Sequence, residues 1–200
     1  MESESETMQE NISNKKYGRG YAGDQNASKW EFYASKRFEE ISREDALCLH
    51  RSKAPYQIVD FVDDRPVSIV SIKIGFPNFI YREFRWDEGA AIDVTFDALH
   101  EPRHIAFFSG FTFYGYESLH LEPVFRVDID PKRDGTVYYG ARNLLTGENT
   151  LENVRFDVSE LWMAIPEFEA YGELKRWQRE PVFTLANRLI QKSKQRWNFP

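Results

Sequence analysis

Between residues 56 and 156 apolar and polar positions alternate with a period of two, the pattern of strands whose successive side chains point to opposite faces. Segments 56–62 and 67–74 flank Asp63-Asp-Arg-Pro66, which reads as a hairpin turn. Both arms are apolar at nearly every position, as strands buried on two faces are. Further strands are predicted over 78–86, 91–96 and 103–114, the last placing Ile105, Phe107, Phe111 and Phe113 in one row with Ser109. Segment 119–129 alternates most cleanly: Leu119, Leu121, Phe125, Val127 and Ile129 face in, and His120, Glu122, Arg126 and Asp128 face out. Pro123 falls in the inward row and has no amide hydrogen to donate, which predicts an edge or a bulge there. Turns at 130–135 and 146–149 lead into strands 136–142 and 151–156, for seven or eight antiparallel strands.

Outside this stretch the period becomes helical. Ser28-Lys-Trp-Glu31 is a capping box, followed by Trp30, Ala34, Phe38 and Ile41 on one face. A second box, Ser42-Arg-Glu-Asp45, starts a short helix through about His50, and Pro55 ends the helical region. Asp157-Val-Ser-Glu160 has the cap and acid of a further helix start. A helix after Pro166 is predicted to bury Phe168, Tyr171 and Leu174, with Trp177 close to that face. A final helix from Pro181 buries Val182, Leu185, Ala186, Leu189 and Ile190 and turns Arg188, Lys192 and Arg196 to water. Residues 1–26 lack apolar periodicity and read as a flexible polar tail. Residues 27–200 read as one α+β domain, an antiparallel meander, curved or half-barrel, packed by N-terminal and C-terminal helices.

Composition narrows the class. A chain of 200 residues, 42% hydrophobic and 29% charged, can bury one core, and its 16 Phe, 10 Tyr and 5 Trp exclude disorder over the whole length. The acidic start lacks the positive segment of a secretory signal, and no apolar run reaches the roughly 18 residues of a membrane helix. A lone cysteine, Cys48, forms no internal disulfide and suits a reducing interior, so the expected location is cytoplasmic, with no membrane insertion.

The net charge of −6 is uneven. Glu2, Glu4, Glu6 and Glu10 crowd the start, whereas segment 174–200 carries Lys175, Arg176, Arg179, Arg188, Lys192, Lys194 and Arg196 against Glu180 alone. The acidic body argues against nucleic-acid binding except through this basic C-terminal helix, where Trp177 and Trp197 add aromatic faces for RNA or an acidic membrane surface.

Short motifs fail their structural tests. His100-Glu-Pro-Arg-His104 matches the H-E-x-x-H zinc pattern, which needs a helix to put both imidazoles one turn apart. Pro102 interrupts such a helix, and the run that follows reads as strand, so exposed turn histidines are expected instead of a metal site. Gly18-Arg-Gly-Tyr-Ala-Gly23 matches a dinucleotide-binding fingerprint, but no apolar strand precedes it. In Asp128-Ile-Asp-Pro-Lys-Arg-Asp-Gly135, Lys132 and Arg133 occupy the positions where an EF-hand requires oxygen and glycine. Cys48 and His50, two apart on a helix, point in different directions, which leaves Cys48 as a half-buried structural thiol. No nucleophile elbow, phosphate-binding loop or spaced carboxylate pair is present, and no cofactor is expected.

The least ordinary feature is aromatic: Phe107, Phe108, Phe111, Phe113, Tyr114 and Tyr116 fall within ten positions, with Tyr138 and Tyr139 on a later strand. Rings on both faces of a strand need cover on both, from the core on one side and from helix, ligand or partner on the other. The expectation is a non-enzymatic binding protein, of inhibitor or immunity type, whose acidic and aromatic surface occupies a basic partner such as a toxic enzyme. Asp63, Asp64, Asp87 and Glu88 would steer the encounter and Tyr114 and Tyr116 would anchor it. The alternative is a small-molecule-binding or metal-dependent enzyme on the curved sheet using His100, His104 and His120.

Overall fold

In a computed structural model of the chain, residues 14–19, 39–52, 54–63, 65–73, 78–85, 87–99, 105–117 and 122–199 are described. Their strands are β1 (Asn14–Arg19), β2 (Glu39–Ile41), β3 (Tyr56–Val62), β4 (Arg65–Lys73), β5 (Asn78–Arg85), β6 (Ala90–Leu99), β7 (Ile105–Gly115), β8 (Phe125–Pro131), β9 (Thr136–Asn143), β10 (Asn149–Arg155) and β11 (Trp162–Ala164). Helices are α1 (Arg43–Arg51), α2 (Gly172–Lys175) and α3 (Val182–Trp197), with a 3₁₀ turn at Ser159–Leu161.

All the strands join one antiparallel sheet in the order β10-β9-β8-β7-β6-β5-β4-β3-β1-β2. From β3 to β10 every strand pairs with its sequence neighbour, so the meander read from the alternation holds. The eleventh strand leaves this path: β11 pairs with Ile105–Phe107 of β7 while β8 pairs with its Phe111–Gly115. One edge of β7 is therefore forked.

Two bulges bend the sheet. Between β3 and β4 the register passes from Asp60↔Ser68 to Phe61↔Pro66, which leaves Val67 as the extra residue and seats a proline in an interior strand where the ladder is already broken. Between β6 and β7 it passes from Thr95↔Gly110 to Phe96↔Phe108, with Ser109 extra.

On one face, Tyr56, Ile58, Val70, Ile72, Phe79, Tyr81, Ile92, Val94, Phe96, Phe111, Phe113, Val127 and Ile129 pack under α3 and the segment that precedes it. The apolar stripe of α3, Val182, Leu185, Ala186, Leu189 and Ile190, is the one expected, and the helix lies over β8 and β9. The opposite face carries a smaller cluster of Val59, Ile69, Phe84, Ala91 and Tyr116, bordered by half-buried Phe61 and Tyr114. Strands β3 and β4 are thus buried on both faces, as expected from their largely apolar sequences.

Several expectations need correction. Among the described residues eleven strands replace seven or eight, because β1, β2 and β11 carry no alternation strong enough to stand out. Strand β1 lies inside the stretch read as tail and pairs with both β2 and β3. The helix expected after Pro166 is a single turn, α2, inside an otherwise irregular segment 165–181 in which Glu169 takes a positive φ of 66°. Phe168, Tyr171, Leu174 and Trp177 still pack into the core, each docked separately. The start at Asp157 gives only the 3₁₀ turn, with the Asp157 carboxylate accepting from Ser159 N. Strand β8 begins after Pro123, which is neither edge nor bulge. Helix packing is C-terminal: segment 165–181 and α3 cover the sheet, and α1 sits beside β1 and β3. Ser42 caps α1 as predicted, accepting from Asp45 N at 3.0 Å. The capping box at Ser28 lies outside the described residues.

Candidate functional site

The meander brings alternate turns to the same end of the sheet. The β3–β4 turn, the β5–β6 turn and the residues flanking the β7–β8 connection therefore stand together, and they carry exposed Asp63, Asp87, Glu88, Glu117 and Glu122. Local geometry holds these turns. Asp63 adopts φ 48°, a left-handed conformation tolerated by Asp. Gly89, at φ 57°, accepts from Tyr116 N at 2.8 Å, and a Cβ there would stand 2.8 Å from Tyr116 O. Arg85 reaches Glu88 at 3.3 Å and partly offsets this acidic end.

The smaller apolar cluster lies just behind these turns. Tyr116, at 6% exposure, is buried within it, so the anchor expected of Tyr116 is not on the surface. Tyr114 is half-buried, with the Arg126 guanidinium 5.7 Å from its ring centre, and burial raises its phenol pKa. Next to them Arg82 grips Asp93 through two bonds of 2.5 Å, a bidentate pair. Asp64 and the three histidines 100, 104 and 120 lie outside the described residues.

The helix-covered face contains two polar inclusions that sequence reasoning missed. Asp60, Ser68 and Glu83 form one row across β3, β4 and β5. Asp60 is 2% exposed, and its Oδ2 accepts from Ser68 Oγ at 2.6 Å and from Lys175 Nζ at 2.5 Å. Among the described residues its Oδ1 has no hydrogen-bond partner. Glu83 Oε2 accepts from Trp177 Nε1 at 3.1 Å and from Tyr81 OH at 3.2 Å, and Oε1 from Arg85 Nε at 2.8 Å. Burial and the neighbouring carboxylates hold the Tyr81 phenol well above its ordinary range.

The second inclusion is a chain of rings. Tyr56 OH meets Tyr171 OH on one side and His50 Nδ1, at 2.9 Å, on the other. Burial pushes Tyr56 far up and Tyr171 up to about 12, and it lowers His50, so all three are neutral at pH 7. Phe168 lies against His50 and Tyr56, and Glu169 accepts from Arg43 and Tyr17. In both inclusions residues of segment 165–181 supply groups that meet polar atoms on β3 and β5, and so they hold that segment down. A polar residue at an inward position, Asp60 or Glu83, is the sequence signal for the first of them.

At the fork of β7 there is a cleft of about 520 Å³ lined by Asp97, Phe107, Ser109, Asp130, Pro131 and the β8–β9 turn. Arg133 in that turn lies 5.9 Å from the ring of Trp162, which packs on Phe107 at 4.9 Å. Among the described residues no group of three or more His, Cys, Asp or Glu side chains is placed to hold a metal. None of the helices described is long and apolar enough to cross a membrane. Cys48, expected half-buried, is exposed. Comparison with protein-family models, with curated proteins and with solved structures finds no match.

Proposed function

We propose that this chain is a binding protein of inhibitor or immunity type that holds a basic protein partner against the acidic end of its sheet. The observation that supports this reading is the grouping of exposed Asp63, Asp87, Glu88, Glu117 and Glu122 at one end, beside an aromatic margin of Phe61 and Tyr114. Exposed carboxylates accelerate encounter with a cationic surface, and half-buried rings give contact area that is already ordered. Tyr114 keeps the anchoring role, and Phe61 takes the place of buried Tyr116.

The test is affinity capture from extract by the full chain at low and high salt, alongside an Asp63→Lys/Asp87→Lys/Glu88→Lys variant. The expected result is a basic protein retained at low salt, released at high salt and lost with the variant. Capture that is insensitive to salt, or equal with the variant, overturns the proposal. A second reading, a small polar ligand in the cleft at the β7 fork, draws on the charged lining of that cleft. Arg133→Ala would then abolish ligand-induced thermal stabilisation while leaving capture unchanged.

A further inference from the structure

The large apolar side chains exposed among the described residues all belong to β9, β10 and the turn between them: Tyr138 at 42%, Leu144 at 36%, Leu145 at 66% and Leu151 at 79%. Among the described residues nothing pairs with the outer edge of β10, a strand of seven residues without proline. Unprotected edges of this kind recruit further strands. Across the β9–β10 ladder Leu151 stands opposite Gly140, and a Cβ on Gly140 would lie 2.2 Å from Thr150 O. Strand β9 therefore has no side chain to set against Leu151. Tyr138, opposite Asn153, shares that face.

We propose that β10 pairs antiparallel with β10 of a second copy of this chain, centred on Leu151, so that two sheets join edge to edge. In that register Leu151 meets its own mate, Thr150 faces Glu152 and Asn149 faces Asn153, with no like charges opposed. Centring on Glu152 instead would set two carboxylates against each other. Glu152 also points to the other face, where it accepts from Tyr139 OH at 2.8 Å, so the Leu151 face carries no charge between Asn149 and Asn153. Charge favours a second copy over the basic partner of the acidic end: residues 136–155 hold Arg142 and Arg155 against Glu148 and Glu152 and are neutral. This pairing uses the outer edge of β10 and does not depend on the partner proposed above.

Sedimentation velocity on the full chain at about 50 μM should show a dimer, and Leu151→Lys should weaken it at least about 10-fold with an unchanged circular-dichroism spectrum. In a Cys48→Ser background, Leu151→Cys should oxidise to a disulfide-linked dimer, because directly opposed Cα atoms lie about 4.5–5.5 Å apart. Asn153→Cys, which faces Asn149, should not cross-link. A monomer at that concentration, a dimer indifferent to Leu151→Lys, or cross-linking at 153 in place of 151 overturns the proposal.

Discussion

The Tyr56–Tyr171 contact makes a quantitative test of how segment 165–181 is held. Tyr56 is 1% exposed and Tyr171 4%, and their hydroxyls meet in the core. In the neutral His50 tautomer whose Nδ1 accepts, Tyr56 donates to His50 and Tyr171 donates to Tyr56. Tyr56→Phe strands the Tyr171 hydroxyl in apolar surroundings and should cost about 2 kcal/mol, the penalty of a buried unpaired donor. Tyr171→Phe leaves Tyr56 bonded to His50 and should cost about 1 kcal/mol. The double variant leaves neither hydroxyl unpaired and should cost about 1.5 kcal/mol, well below the sum of the single losses. Equilibrium urea unfolding reads all three values, provided the denaturant slope stays constant. Melting points should fall by about 6 °C for Tyr56→Phe and about 3 °C for Tyr171→Phe, at the roughly 3 °C per kcal/mol of a chain this long. Single losses that add to the double within about 0.5 kcal/mol would refute the reasoning, because independent hydroxyls show no coupling.

His50 has a folded-state pKa lowered by burial, so below its ordinary value of 6.5 the unfolded chain takes up a proton that the folded chain resists. Stability should be full above that pH and fall as pH drops through it, and His50→Gln should flatten that part of the profile in pH-resolved melts. Lys175→Met removes the cation from Asp60 and should destabilise by about 2 kcal/mol, less than a fully buried pair because Lys175 is a third exposed; Asp60→Asn in the same chain should recover part of the loss in denaturant titrations. Gly140→Ala drives a Cβ against the Thr150 carbonyl and should cost at least about 2 kcal/mol, whereas Gly172→Ala meets nothing within 4 Å and should gain about 0.5 kcal/mol, both read as melting shifts.

The sheet from β3 to β10 was legible because alternation is a local property, and burial on both faces of β3 and β4 was written in their apolar runs. The short strands were not. In β1 only Tyr17 is apolar apart from a glycine, and β2 and β11 have three residues each. The spacing of Phe168, Tyr171 and Leu174 imitates a helical face, yet the positive φ of Glu169 interrupts any helix between them. Burial at intervals of three needs only that each ring find its own niche. At the candidate site Asp63, Asp87 and Glu88 could be placed on turns from sequence, but their convergence with Glu117 and Glu122 depends on the hairpin order. The roles of Asp60 and Glu83 were hidden because Lys175 lies 115 positions from the first and Trp177 lies 94 from the second.

The divided edge of β7 has a consequence for synthesis. Until residues 162–164 leave the ribosome, Ile105–Phe107 offer bare backbone next to an apolar run, and Asp60 and Glu83 wait still longer for Lys175 and Trp177. A nascent chain halted before residue 160 therefore displays a sticky, half-finished sheet, the kind of intermediate that chaperones shield. Folding should therefore wait on residues 162–177, and fragments cut between β10 and β11 should aggregate even though they contain the entire meander.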